Sequence, residues 1–137
     1  MSKARGARIE NPDSLLHRQV HPSFVHDGQP SSQAFRPTLK DGGLLSVSDG
    51  SKTTAELAYK LHVERRLLAS KGVWSLIVSE CTAANLPAFE DPEEGSVPDP
   101  AHAVVDFDGL SSSQVEARAK RLKSVAAARG CQYQPPT

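Results

Sequence analysis

The run Val73-Trp74-Ser75-Leu76-Ile77-Val78 constrains the fold more than any other stretch. Its β-branched and aromatic side chains lack the polar alternation of a half-solvated strand, which is the pattern of a strand covered on both faces. We read a central strand from Val73 to Glu80. Upstream, Leu57, Ala58, Leu61 and Leu68 recur on one face at helical period, which predicts a helix from about Thr54 to Ser70. Thr53-Thr54-Ala55-Glu56 has the form of a capping box, with the Thr53 hydroxyl accepting from the Glu56 amide and the Glu56 carboxylate reaching back. Gly72 is the expected left-handed stop. Leu44 to Val47 reads as a strand. Strand, helix and strand over Leu44–Cys81 then make a βαβ unit with a right-handed crossover.

The remaining elements assemble around this unit. Leu15 to Val20 reads as a first strand, which Pro22 ends or holds at an edge. His26-Asp27-Gly28-Gln29-Pro30 and Asp41-Gly42-Gly43 have turn composition. Gln33 to Arg36 is expected to be extended, because the Pro37 ring disfavours helix at Arg36. His102 to Phe107 alternates, with Ala103, Val105 and Phe107 on one face. Ser113-Gln114-Val115-Glu116 repeats the capping-box pattern. The helix it opens runs to about Arg129, buries Val115, Ala119, Leu122 and Ala126, and stops at Gly130. Cys131 to Gln134 is a further edge strand.

The expected fold is α+β: a single small domain with a mixed β-sheet, a βαβ unit and two packed helices. Its core is expected to hold Leu44, Val47, Leu57, Leu61, Leu68, Trp74, Leu76, Val78, Val105, Phe107, Val115 and Leu122. Residues 1–13 read as a flexible N-terminal tail, 14–134 as the domain and 135–137 as a C-terminal tail. Within the domain, residues 85–100 form a long acidic loop punctuated by Pro87, Pro92, Pro98 and Pro100, and loops of that length in small domains are usually functional or mobile.

Composition excludes several classes. A chain of 137 residues buries about two thirds of its unfolded surface without a disulfide or metal staple. Cys81 and Cys131 lie far apart with no metal-type spacing and read as buried free thiols in a reducing compartment. The sequence has no run of about 20 apolar residues that would span a bilayer. The opening MSKARGARIENPDS has no apolar core of a secretory signal, so a cytoplasmic protein without membrane attachment is expected. Sixteen basic residues balance sixteen acidic ones, which argues against a dedicated nucleic-acid binder. The charges are nonetheless segregated. Glu90, Asp91, Glu93, Glu94 and Asp99 crowd the long loop, and Arg118, Lys120, Arg121, Lys123 and Arg129 crowd the second helix. Such asymmetry suits docking on a complementary partner or simply two solvated faces, and each run taken alone reads as a solvated face.

Chemistry concentrates in residues 16–41. His17 and His21 share one face of a strand, and His26 or Asp27 lies near enough in sequence to add a third ligand. The spacing lacks the Glu of HExxH, so no metal and no cofactor is assigned. Arg18, Ser31, Ser32, Gln33, Arg36, Lys40 and Asp41 form a candidate binding set, because the arginine fork and short hydroxyls suit an anion. No P-loop and no dinucleotide fingerprint occurs. Without a GxSxG elbow, a serine-hydrolase triad has no anchor.

Arg18 (or His17), Ser46 and Glu80, on successive expected strands, resemble the Arg–Ser–Glu pattern of ADP-ribosyltransferases. The resemblance covers these three positions. Val78 stands two residues before Glu80, where that family often has an acid or Gln. It implies that the first-strand residue contacts a dinucleotide, the serine supports it and the glutamate orients the ribose.

Two function classes follow. The first is a small cytoplasmic binding or accessory protein that engages a protein partner through residues 16–41 and the acidic loop 85–100. The alternative is a small enzyme on a phosphate-bearing or nucleotide substrate, ADP-ribosyltransferase-like or phosphoryl/nucleotidyl in chemistry. There, His17 or His21 would be the general acid/base, Arg18 and Arg36 the anion clamp, and Glu80 the orienting carboxylate. Convergence of these groups in one concave site is the feature that separates the two.

Overall fold

The computed structural model describes residues 6–37 and 42–135. β1 (Leu15–Val20) lies inside a six-stranded sheet, between β4 (Leu44–Asp49) and β5 (Gly72–Ile77). The full order is β6-β7-β4-β1-β5-β8, with β6 (Ala88–Glu90), β7 (His102–Asp106) and β8 (Cys131–Tyr133) completing it. Every neighbouring pair is antiparallel. Because β1 runs against both β4 and β5, those two strands are parallel to each other. The βαβ unit is therefore present with a strand inserted between its two arms. A small hairpin of β2 (Val25–His26) and β3 (Gln29–Pro30) stands apart from the sheet.

Register sorts the two faces. Leu16, Leu76, Trp74, Leu45, Val47, Ala103 and Val105 point to one side and are buried. Helix α3 (Ser112–Arg129) closes that side with Ala119, Leu122 and Ala126, and Phe35 fills the space beneath it. The opposite face carries His17, Gln19, Ser46, Ser48, Ser75 and His102. Helix α1 (Ala55–Lys60) covers part of it, and its Tyr59 ring packs 5.1 Å from the ring of Tyr133 on β8. The face away from α3 thus carries most of the sheet's polar side chains, with Val73 and Val104 buried among them.

Several expectations are corrected. The first helix does not reach Ser70. Its N-cap is Thr54, whose hydroxyl accepts from the Leu57 amide at 3.1 Å, and Glu56 pairs with Lys60 instead of reaching back. After Lys60 the chain widens into a π-helical turn, Leu61–Arg65, and leaves helical geometry at Leu67 with φ of 59°. The helix thus ends well before Gly72, which begins β5. Leu57 and Leu68 are 59% and 51% exposed and are not core residues, since only Ala58 of α1 is buried.

The central strand also ends early, at Ile77. The amides of Val78 and Ser79 turn aside to donate to Ser14 O and Pro12 O, both at 3.0 Å. A short helix α2 (Val78–Ala83) follows, so Glu80 and Cys81 are helical rather than strand residues. Gln33 lies in a 3₁₀ turn, Ser32–Phe35, not an extended piece. The second capping box is Ser111 with Gln114, two residues upstream of the expected one. Cys131 is exposed while Cys81 is buried, and both thiols are free. Residues 6–10 are held against the sheet edge: the Gly6 and Ile9 amides donate to Glu90 O and Ala88 O, each at 2.9 Å, and Ile9 is buried. Among the described residues, no helix is long and apolar enough to cross a membrane.

Candidate functional site

The polar face of the sheet opens into a cleft of about 680 Å³. Its floor is β1 and β4, one wall is α1 with the π turn, and the other is the loop from Glu93 to His102. The cleft therefore joins the start of the His/Arg segment to the acidic loop.

The floor is built by strand divergence. β1 and β4 pair at Leu16–Asp49 and His17–Ser48, and beyond that point they separate. Arg18 bridges the gap, donating from Nε to Ala34 O at 2.7 Å and from Nη1 to Ser46 O at 2.9 Å. His17 is buried, with Nδ1 2.7 Å from Ser75 Oγ. Gly50 lets the imidazole sit there, because a Cβ at that position would lie 2.8 Å from Leu15 O and 3.1 Å from His17 Nε2. Burial pushes the His17 pKa down, and nearby Asp49 opposes the shift.

The walls carry the other polar groups. The helix face around the π turn directs His62 and Arg66, four residues apart, into the cleft. Nε2 of His62 lies 3.3 Å from Ala69 O. Its pKa is lowered mainly by burial; the Ala69 contact opposes this, and Arg18, Arg66 and His21 add to the lowering. Arg66 binds Glu93 Oε1 at 2.6 Å and Val97 O at 2.8 Å, which fastens the helix wall to the loop wall. The loop is closed by a reciprocal backbone pair between Glu93 and Asp99, at 2.9 and 2.8 Å. His102 is held by Asp91, with Nδ1 2.8 Å from the backbone oxygen and 3.2 Å from Oδ2.

Two buried donors in these lining side chains, Gln19 Nε2 and Arg66 Nε, have no hydrogen-bond partner among the described residues. A buried donor without an acceptor costs about 1–3 kcal/mol, so each such group calls for an explanation. The lip of the cleft is Leu67-Leu68, with Leu67 82% exposed and in the left-handed region. The left-handed backbone at Leu67 costs stability through strain, and the exposed side chain gains nothing from burial to offset it.

The residues singled out from the sequence fall in different places. His17, Arg18 and His21 line this cleft. His21 sits at its edge and caps a 3₁₀ turn by accepting from the Ser23 amide at 3.1 Å. Ser31 and Ser32 line a second, separate pocket against α3. Gln33 and Arg36 are exposed and line neither. Lys40 and Asp41 lie outside the described residues. Glu80 lies at the far end of β5, where Arg129 grips it with contacts of 3.0 and 2.7 Å and where its Oε1 accepts from the Ile77 amide at 2.8 Å. Of the Arg–Ser–Glu triplet, Arg18 and Ser46 meet in the cleft, and Glu80 is not among its lining residues.

Sequence reasoning passed over Gln19, His62, Arg66, His102 and the Leu67-Leu68 lip. The spacing of His62 and Arg66 on one helical face was the available signal for two of them. Cys81 is no nucleophile candidate, since burial, with Glu80 adding to it, pushes its thiol up to about 12. Among the described residues, no group of three His, Cys, Asp or Glu side chains is placed to hold a metal ion. No family model, curated protein or solved structure matches this chain.

Proposed function

We propose that this chain is a cytoplasmic binding or accessory protein that holds a segment of a protein partner in the cleft between β1, the π turn and the Glu93–His102 loop. The observation that carries this reading is the pairing of an exposed, left-handed leucine lip with buried donors that lack acceptors. A peptide segment satisfies both at once. An apolar side chain covers Leu67 and Leu68, and backbone carbonyls accept from Gln19 Nε2 and Arg66 Nε. The two segments expected to carry binding, the His/Arg strand and the acidic loop, both contribute to the lining of the cleft, beside β4, α1 and the π turn.

A second reading has one observation in its favour: His17, His62 and His102 gather around the same cleft as Arg18 and Arg66. That grouping suits an enzyme on a phosphate-bearing or nucleotide substrate, with an imidazole as general acid/base. Against it, Arg66 is already engaged by Glu93, and Glu80 and Arg36 lie outside the cleft.

The test is capture from native lysate by the full chain beside a Leu67→Ser/Leu68→Ser double variant, with circular dichroism confirming that both are folded. Both positions are exposed, so the variant keeps its core. The partner-binding reading expects a stoichiometric protein retained by the parent chain and lost by the variant. Equal retention by both, or no protein on either, contradicts it. Saturable nucleotide binding abolished by His62→Ala would favour the second reading.

A further inference from the structure

A second pocket, of about 500 Å³, lies away from the cleft, between the β2–β3 hairpin with its following 3₁₀ turn and the flank of α3. Its lining combines basic and hydroxyl side chains with Gln29 and Pro30 of the hairpin. His26 comes from the hairpin, Ser31 and Ser32 from the turn, and Lys120, Lys123 and Ser124 from the helix. No carboxylate lines it among the described residues. The acids nearest in sequence are Asp27, exposed in the hairpin turn beside His26 and not among the lining residues, and Glu116, which stands 3.6 Å from Lys120 in an exposed pair one turn away, a contact of the kind that contributes little.

Ser31 makes the pocket more than a basic surface. It occupies the N-cap position of the 3₁₀ turn, yet its hydroxyl makes no cap hydrogen bond. Ser31 Oγ is buried and has no partner among the described residues. A serine at a cap position ordinarily satisfies its hydroxyl locally. Here the hydroxyl is left for something else, in a pocket that Ser32, Lys120 and Lys123 also line. Those groups match a tetrahedral oxyanion, which takes charge-assisted hydrogen bonds from lysines and neutral ones from serines.

We propose that this pocket binds a phosphate dianion, either the free ion or the phosphoryl end of a small phosphomonoester. Lys120 and Lys123 supply the charge, and the Ser31 and Ser32 hydroxyls fix the orientation. The site is independent of the partner cleft, which lies on the other face of the sheet.

The test is a nuclear magnetic resonance titration of the full chain with inorganic phosphate and, separately, with adenosine monophosphate, with chloride at matched ionic strength as the control. The proposal expects saturable shifts at the amides of Ser31, Ser32 and Ser124, absent with chloride. Lys120→Gln/Lys123→Gln should weaken binding by at least about tenfold, the loss expected for charged hydrogen bonds. Ser31→Ala should weaken it several-fold and serves if the double variant does not fold. Saturation by phosphate alone identifies the free ion as ligand, and saturation by both identifies the phosphomonoester class. Shifts that stay linear with both ligands, or that neither variant changes, overturn the proposal.

Discussion

His17 shows how one residue acquires its role from where it is buried. From the sequence it was a metal ligand or acid/base candidate because His21 follows four positions later. In the fold it is bonded to Ser75 beneath the cleft, and Gly50 presses against its Nε2 side. His62, not singled out from the sequence, lines the cleft and is also shifted. Both imidazoles have folded-state pKa values below the ordinary 6.5. The unfolded chain therefore binds more protons than the folded one between those depressed values and 6.5. Stability is complete above 6.5 and declines as pH falls through the folded pKa values. Thermal melts across this window should show a falling midpoint, and His17→Gln and His62→Gln should each flatten the slope. A variant slope equal to that of the parent chain would show that the residue does not contribute. The neighbours that displace these two pKa values were not legible in the sequence, because Asp49 and Arg18 approach them only once strands far apart in the chain are paired.

Elements with local signals were legible, and those set by tertiary contacts were not. β1 was readable to the residue, and α3 nearly so, because the Pro22 stop after one and the Ala119-Leu122-Ala126 stripe with Gly130 in the other are properties of the segments themselves. The first helix failed at its end. Its leucines keep a helical period through Leu68, but the π turn and the left-handed Leu67 break it, and the bond from Arg66 to the Glu93 loop selects that break. The candidate site was half legible for the same reason: its floor comes from β1, and its walls come from this break and from a loop without periodicity. The left-handed leucine makes a specific prediction. Leu67→Gly removes Cβ strain that costs about 1–2 kcal/mol in that region, partly offset by the greater freedom of unfolded glycine, roughly 0.5–1 kcal/mol. Urea unfolding should show a gain of up to about 1.5 kcal/mol, while partner capture weakens. A loss of stability would mean that the leucine packs productively on the isolated chain.

At the scale of the whole molecule, one ion pair joins three elements. Arg129, in the last turn of α3, holds Glu80 of α2 and donates to Ser75 O on β5 at 2.8 Å. Glu80 also caps the Ile77 amide. Both side chains are largely covered, so removing one leaves the other without compensation. Glu80→Ala should lower unfolding free energy by about 2 kcal/mol and leave partner capture unchanged. Weakened capture in a folded Glu80→Ala chain would instead return that residue to the site. The pair explains why a carboxylate that reads as functional from its position after the best strand serves the framework: the sequence places Glu80 and Arg129 far apart, and only the packing of α3 across the sheet brings them together. The same sheet puts its apolar face under α3 and leaves its polar face for the cleft.

The most direct test of that assignment is paired photo-crosslinking in native lysate, with a photoreactive residue replacing Leu67 on the lip or Glu116 on the outer face of α3. The account predicts a crosslinked protein from position 67 and none from position 116. Crosslinking only from position 116, equal crosslinking from both, or none from either would contradict it.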